Sequence, residues 1–403
     1  MSRRSLALLP LGLVLALLTA VPATAQTGVA ADDRYVVVLK DSAGAPDKVA
    51  GEQRSRHHLR VGHVYSSALR GYSATVPRDR LAALRADPRV AAVSPDLPVT
   101  ASAQTLPTGV DRVEADRSSA RAGDGTGTTD VDVAVIDTGI AAHPDLNVAG
   151  GTDCTGSGSF EDGDGHGTHV AWTIGARDDG EGVVGVAPGA RLWSVRVLDS
   201  SGRGTTSTVI CGLDWVTRNA GIDVANMSLG GPGTNPAGSG FATGDAQHDA
   251  TCRAVAAGVT FVVAAGNEAS DARNSVPAAY DEVITVSALA DFNGQPGGGA
   301  PSTCRDDADD TFASFSNYGP AVDIIAPGVC ILSTWTGGGY NTISGTSMAS
   351  PHVAGAAALV RAANPAASPA EVRSALLGAA SADWNDADDP DGVKEPLLSA
   401  AGL

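Results

Sequence analysis

The sequence predicts an α/β protein: a three-layer body with a central, mainly parallel sheet flanked by helices, preceded by a small α+β unit. Three observations lead there. Between residues 104 and 403, apolar strands alternate with helical stretches, the order that builds a parallel sheet covered on both faces. Glycine is abundant (49 residues) and aromatic residues are scarce (4%), which suits a core of small, closely packed side chains. Charge divides the chain as well. Residues 26–103 carry eleven basic and eight acidic side chains, whereas residues 104–403 carry fourteen basic and thirty-seven acidic ones. A mildly basic front piece and a strongly acidic body attract one another if they fold separately.

Residues 1–25 read as a signal peptide. Arg3 and Arg4 precede an apolar run over 6–18, and Ala23-Thr24-Ala25 fits the small-x-small pattern cut by signal peptidase. The run is shorter than the roughly 20 residues that cross a bilayer, and no later stretch is long enough. Export is expected, with no membrane association after removal of this segment. Residues 33–98 form the small α+β unit. Its strands are predicted over 34–40, 64–65, 72–76 and 90–93, and a helix over 78–86 places Leu81 and Leu84 on one side. A unit of this size is marginal alone. The stretch 95–107 lacks strong structural signals and is the natural place for a cut. In the body, strands are predicted over 132–136, 191–198, 224–228, 260–265 and 283–288. Helices are predicted over 206–219, 246–257 and 348–363, the last almost wholly of small residues and therefore buried.

The net charge of −18 argues against a nucleic-acid partner, which needs clustered positive charge. No repeat or anchor supports a structural surface protein. Export makes disulfides available. The five cysteines, Cys154, Cys211, Cys252, Cys304 and Cys330, all lie in the body. Two bridges among five allow fifteen arrangements, between which the sequence does not choose. The arrangement we favour is Cys154–Cys211 with Cys304–Cys330, leaving Cys252. No CxxC pair exists, which argues against a zinc ribbon.

Three segments carry chemistry. Val133-Ala134-Val135-Ile136-Asp137-Thr138-Gly139 ends a buried strand on a carboxylate, at the edge where α/β sheets place their sites. Alone, that aspartate reads as readily as a turn cap. Asp164-Gly165-His166-Gly167-Thr168-His169 sets a histidine between two glycines where a helix opens, and histidine is the side chain best suited to move a proton near neutral pH. His166 and His169 lack the Glu and the i, i+4 spacing of a zinc-binding helix, so His169 reads as structural. Gly345-Thr346-Ser347-Met348-Ala349-Ser350-Pro351-His352 places a hydroxyl at a helix N-terminus, where unpaired N–H groups favour negative charge. Alone, that serine is an N-cap.

Together the segments run Asp, His, Ser, each at a turn leaving or entering a core element. That is the subtilisin chain order and not that of other folds with the same triad. On these motifs, with Val224-Ala225-Asn226-Met227-Ser228-Leu229-Gly230-Gly231 and Phe315-Ser316-Asn317-Tyr318-Gly319, residues 110–380 closely resemble the subtilisin-like serine proteases, in particular the secreted proteinase K-like branch. Residues 33–98 resemble, more weakly, the inhibitor-like propeptide of the same enzymes.

The resemblance implies a subtilisin-like fold over 104–403 and a propeptide over 26–103 that acts as an intramolecular inhibitor and is cut near Ala103. The implied activity is that of a secreted, monomeric serine endopeptidase of broad specificity, working through an acyl-enzyme on extended polypeptides, with no cofactor for catalysis. Ser347 is implied as nucleophile, His166 as its base, and Asp137 as the group that orients the imidazole. Asn267 and the Ser347 backbone N–H are implied as the oxyanion hole. Gly202 and Gly204, with Ser228, Leu229 and Gly230, are implied to sandwich the substrate backbone as added strands. Ala264, Ala265 and Gly266 form the implied small, uncharged wall of the first pocket, favouring an apolar or aromatic residue before the cut. Arg203 stands at the rim.

Asp323 aligns with a calcium-binding aspartate of the family, aided by carbonyls near Asp281 and Val283, so structural calcium is an expectation. The acidic runs 161–164, 306–310 and 383–391 invite the same ion, although most such runs are only solvated. Trp172 stands where the family usually has glycine. An indole there either overpacks the sheet or serine helix, at a cost of roughly 1–3 kcal/mol, or points into a groove. Asn226-Met227-Ser228 spells a glycosylation sequon in a predicted buried strand. Unperturbed histidine titrates near 6.5, so activity is expected to fall below about pH 6 to 7.

Overall fold

A computed structural model describes residues 34–96, 104–219, 221–236 and 243–403, and the chain divides into two compact units, Met1–Ala101 and Ser102–Leu403. The expected signal peptide and the expected cut near Ala103 lie outside the described residues.

In the first unit, β1 (Arg34–Leu39), β2 (Arg60–Tyr65), β3 (Gly71–Thr75) and β4 (Val90–Pro95) form an antiparallel sheet in the order β2-β3-β1-β4. Helices α1 (Pro46–His57) and α2 (Arg78–Arg85) pack against it. The apolar pattern did not announce α1. Its buried face is Val49, Ala50, Gln53 and His57 behind Pro46, so one large aliphatic residue shares the stripe with two polar ones. Gln53 is buried because its side-chain oxygen accepts the Tyr72 hydroxyl proton.

The second unit opens with α3 (Thr108–Arg112) and then builds the predicted sheet. Its strands are β5 (Asp132–Asp137), β6 (Val148–Asp153), β7 (Arg191–Arg196), β8 (Val224–Met227), then, beyond the two-residue β9 (Gly231–Pro232), β10 (Thr260–Ala264), and, beyond β11 (Ser275–Val276), β12 (Ile284–Ala290), β13 (Thr311–Phe312) and β14 (Ile324–Pro327). The order is β13-β12-β10-β8-β5-β7-β6, with β14 also paired to β12, and every pairing is parallel except that of β13. From β5 the chain builds β6 and β7 on one side and then crosses over to β8 on the other, so the carboxyl end of β5 lies at a topological switch point, where open α/β sheets hold their ligands. Strand β6 escaped the sequence reading because it contains Gly150 and Gly151, poor strand formers. A Cβ on Gly151 would lie 2.1 Å from the Ser194 carbonyl oxygen, so the close approach of β6 to β7 requires glycine there.

Alternation along β5 sorts the two cores. Val133 and Val135 join one cluster, and Ala134 and Ile136 join the other. The first cluster is covered by α4 (His166–Gly175) and α7 (Thr346–Ala363), the second by α5 (Thr206–Arg218) and α6 (Ala246–Ala256). Small residues let α7 sink into the first layer, where nearly every side chain to Val360 is buried. The hairpin of β15 (Ile331–Trp335) and β16 (Gly339–Ile343) packs on α4, and α8 (Pro369–Ala379), started by a Ser368–Glu371 capping box, packs on α7. The disulfides are Cys154–Cys211 and Cys304–Cys330, with Cys252 outside both, as favoured. Among the described residues, no helix is long and apolar enough to cross a membrane.

Candidate active site

Asp137 ends β5 at the switch point. Its side chain is wholly buried; Oδ1 accepts the Thr138 backbone N–H (2.7 Å) and lies 2.8 Å from His166 Nδ1. A carboxylate at Nδ1 keeps the proton on that nitrogen and leaves Nε2 as the basic one. The imidazole opens α4 and is 24% exposed. Asp162 builds the turn that delivers it. Its Oδ1 accepts the Thr138 hydroxyl and the backbone N–H groups of Asp164 and Gly165, and its Oδ2 accepts the N–H and hydroxyl of Thr168. The flanking glycines answer steric demands. Gly165 has φ +122°, and a Cβ there would lie 2.3 Å from the Trp335 ring; a Cβ on Gly167 would lie 2.1 Å from the Gly139 carbonyl oxygen.

Burial by itself lowers the His166 pKa, but the Asp137 charge and hydrogen bond, helped by the Asp164 and Asp162 charges, outweigh it and hold the pKa above 6.5. As the base that the resemblance implies, His166 must be neutral, and it then fails at a higher pH than an unperturbed histidine. The acid limb of kcat/KM is expected to have its midpoint above 6.5. In Asp137→Asn burial is left unopposed by that charge, and the imidazole resonance should titrate lower; a wild-type midpoint below pH 6 contradicts this account. His169 behaves as the structural residue expected. It is buried, its Nε2 bonds the Ile331 carbonyl at 3.0 Å, and burial pushes its pKa down to about 3.

Ser347 lies in the first turn of α7. Its Oγ donates to the Ser228 carbonyl (3.2 Å), and its own carbonyl accepts the Ser228 hydroxyl (2.8 Å). The second bond follows from the sequence of α7. Pro351, four residues on, has no N–H for the Ser347 carbonyl, and Ser228 supplies the missing donor. The Ser228 hydroxyl accepts from Asn226 Nδ2 (2.9 Å), and Asn226 Oδ1 accepts from Ser350 (2.6 Å). This buried chain fastens the end of β8 to the head of α7. It also occupies both ends of the Asn226 amide, which is fully buried, so the sequon is closed to modification in the folded body.

Asn267 follows β10 through Gly266. Its Oδ1 accepts the Thr346 N–H (2.8 Å) and hydroxyl (3.0 Å). A Cβ on Gly345 would lie 3.6 Å from Asn267 Oδ1 and 3.7 Å from both Asn267 Nδ2 and the Ser347 backbone nitrogen, so the Asn267 amide and the start of α7 are close neighbours. Two grooves share the wall 228–232. One, of about 690 Å³, is lined by His166, Gly202, Arg203, Gly204, Ser228, Leu229 and Gly230. The other, of about 470 Å³, is lined by Ala264, Gly266, Asn267 and Ser347. Ala265 stands apart: its side chain is fully buried, and only its backbone is engaged, by Val286 and by the Asn317 amide.

Residues 128–397 match the model of the subtilase family, and residues 34–102 match that of the peptidase inhibitor I9 family. The chain belongs to the subtilase family. It is similar to an alkaline protease of Alkalihalobacillus alcalophilus, with 43% identity over 299 residues, 74% of this chain and 70% of that protein. Subtilisin DY of Bacillus licheniformis is 43% identical over 283 residues, 69% of this chain and 92% of its own. A crystal structure of a cold adapted subtilisin-like serine proteinase superposes with a TM-score of 0.59 at 37% identity, covering 74% of this chain and all but 1% of its own, at 99%. This subtilase is a serine endopeptidase with a propeptide unit.

Several residues that shape the subtilase's site were given no role in the sequence, although Thr346 and Asn317 stand in its motifs. Thr346 anchors Asn267, and its hydroxyl also accepts the Gly266 N–H (3.1 Å). Asn317 Oδ1 accepts the N–H groups of Glu268 and Ser270, and the Glu268 carboxylate accepts the Asn267 N–H, so the turn after Asn267 is held from both sides. Pro351 was the one legible hint, since a proline four residues after a serine leaves that carbonyl in need of a donor.

The residues at Asp323 do not fit calcium. One carboxylate oxygen accepts the Thr285 N–H (2.9 Å), the other is held by the Arg373 guanidinium, and Arg373 also donates to the Asp281 carbonyl (3.1 Å). An internal cation thus takes two of the groups expected to hold the ion, the Asp323 carboxylate and the Asp281 carbonyl. Much of the runs 161–164 and 306–310 is likewise committed. Besides Asp162, Asp307 holds the Ser314 N–H and Arg305, Asp309 holds the N–H groups of Phe292 and Ala300, and Asp310 holds Arg112 and the N–H groups of Gly297 and Gly298. Trp172 is fully buried in the α4–α7 core and points into no groove. Its indole nitrogen has no partner among the described residues, an omission that costs about 1–3 kcal/mol.

Proposed function

We propose that this subtilase cuts extended polypeptides with Ser347 as nucleophile, His166 as general base and acid, and Asp137 as the group that orients and stabilises the imidazolium. The buried Asp137–His166 hydrogen bond is the observation that carries the reading, because it leaves Nε2 as the proton acceptor toward the groove. In the resting state the Ser347 hydroxyl leans on the Ser228 carbonyl. The mechanism requires rotation about its Cα–Cβ bond to bring it within hydrogen-bond reach of Nε2. Attack on the scissile carbonyl moves the Ser347 proton to His166, and the new oxyanion is received by Asn267 Nδ2 and the Ser347 N–H. His166 then protonates the leaving amine, and water repeats the sequence to release the acyl group.

The substrate backbone runs between 202–204 and 228–230, where main-chain bonding tolerates many side chains. The wall of Ala264 and Gly266 carries no charge, and the Glu268 carboxylate that also lines this groove is held by the Asn267 N–H and the Asn317 amide, which supports an apolar or aromatic residue before the cut. The protein is exported by residues 1–25, kept inactive by 26–103 and matured by its own site near Ala103, after which 104–403 acts as a monomer. A serine-directed phosphonylating reagent tests the assignment. A stoichiometric adduct on Ser347, lost in His166→Ala, is expected. An adduct on another residue, or none on folded protein, overturns it.

A further inference from the structure

We infer that His248, Cys252 and Glu282 form a binding site for a borderline divalent transition-metal ion of the zinc class. His248 and Cys252 stand four residues apart on α6, so their side chains share one face. Glu282 comes from the segment entering the amino end of β12. His248 Nε2 lies 3.5 Å from Cys252 Sγ and 2.9 Å from Glu282 Oε2, and the three ligand atoms all lie within 4.8 Å of one another.

The S···N and N···O spacings suit a tetrahedral centre. With zinc bonds of about 2.3 Å to sulfur and about 2.0–2.1 Å to nitrogen and oxygen, the S···N separation is about 3.6 Å and the N···O separation about 3.4 Å. The S···N pair already has that spacing, and the carboxylate moves out by a few tenths of an ångström. Thiolate, imidazole and carboxylate together select a zinc-like ion over calcium or magnesium, which prefer all-oxygen sites. The surroundings also suit a metal-bound histidine. Its other nitrogen, Nδ1, lies 3.3 Å from the Thr243 hydroxyl, which donates to Asp249 (3.0 Å) and can accept from Nδ1. The Tyr280 ring covers the imidazole with centroids 4.7 Å apart. His248 and Cys252 are buried, and Glu282, with 18% of its side chain exposed, faces the entry. On binding, the Cys252 thiol gives up its proton to solvent and the neutral His248 ring keeps its proton on Nδ1, so affinity rises with pH. No catalytic role is attached to the ion.

Mature protein inactivated with a serine-directed reagent, stripped with chelator and titrated with Co²⁺ and then Zn²⁺, tests the site. One cobalt per chain is expected, with a thiolate-to-cobalt charge-transfer band that zinc abolishes by displacement. Cys252→Ser should lose the band. Glu282→Gln, at a partly exposed position, should keep it and bind zinc at least tenfold more weakly, with metal-free Tm unchanged; it carries the test if Cys252→Ser fails to fold. No band in wild-type protein, a band that persists in folded Cys252→Ser, or equal zinc affinity in Glu282→Gln overturns the inference.

Discussion

Ser347→Ala is expected to accumulate with residues 26–103 still attached and with peptidase activity lower by roughly 10⁶-fold, the loss known for removal of the nucleophile from a subtilisin. The expectation rests on what the hydroxyl does in the resting fold. It makes one hydrogen bond, to the Ser228 carbonyl, while the bond that fastens α7 to β8 uses the Ser347 backbone carbonyl and survives the substitution. A single partly exposed hydrogen bond contributes about 0.5–1.5 kcal/mol, so Tm should move by only a few degrees. Large loss of activity with a nearly unchanged fold is therefore the signature of missing chemistry. Intact mass of the variant, made in a host without active proteases, reads the attached segment directly. Recovery of protein beginning near Gln104 would falsify self-maturation by this serine.

Asn267→Ala should lower kcat by about 10²–10³, equivalent to about 2.7–4 kcal/mol, with KM little changed, a magnitude carried over from the same position type in subtilisin. The amide serves two ends in the proposed mechanism. Oδ1 takes the N–H and hydroxyl of Thr346 at the start of α7, while Nδ2, with the Ser347 N–H, is proposed to receive the oxyanion. Asn267→Asp separates them, since it keeps an acceptor for Thr346 and replaces the donor. If positioning of α7 were the main role, Asn267→Asp would retain kcat within tenfold of wild type. If donation is the main role, it falls at least as far as Asn267→Ala. A rise in KM at constant kcat in either variant would assign Asn267 to ground-state binding instead.

Much of the architecture was legible because its signals are local. The apolar runs behind β5, β8 and β10 and the small residues of α7 state their burial within a few positions. Helix α1 and strand β6 were not legible. In α1 the buried positions include Gln53 and His57, whose burial depends on partners such as Tyr72 elsewhere in the chain. In β6 two glycines are kept for close approach to β7, which no propensity records. The expected calcium site at Asp323 misled for a related reason. A carboxylate that looks solvated or metal-seeking on paper can be consumed by backbone N–H groups and by a guanidinium fifty positions away, as Asp323 is by Arg373.

From the sequence alone came the identities and chain order of Asp137, His166 and Ser347, the glycines around them, and the alternation of strands and helices, all carried by neighbouring residues. Tertiary structure decided the rest: that Trp172 is buried, that Asn267 is anchored by Thr346 across 79 positions, and that Arg373 takes the place expected for calcium. Hydrogen bonds and ion pairs act over a few ångströms of space, and residues far apart in the chain come within that range only after the sheet has assembled.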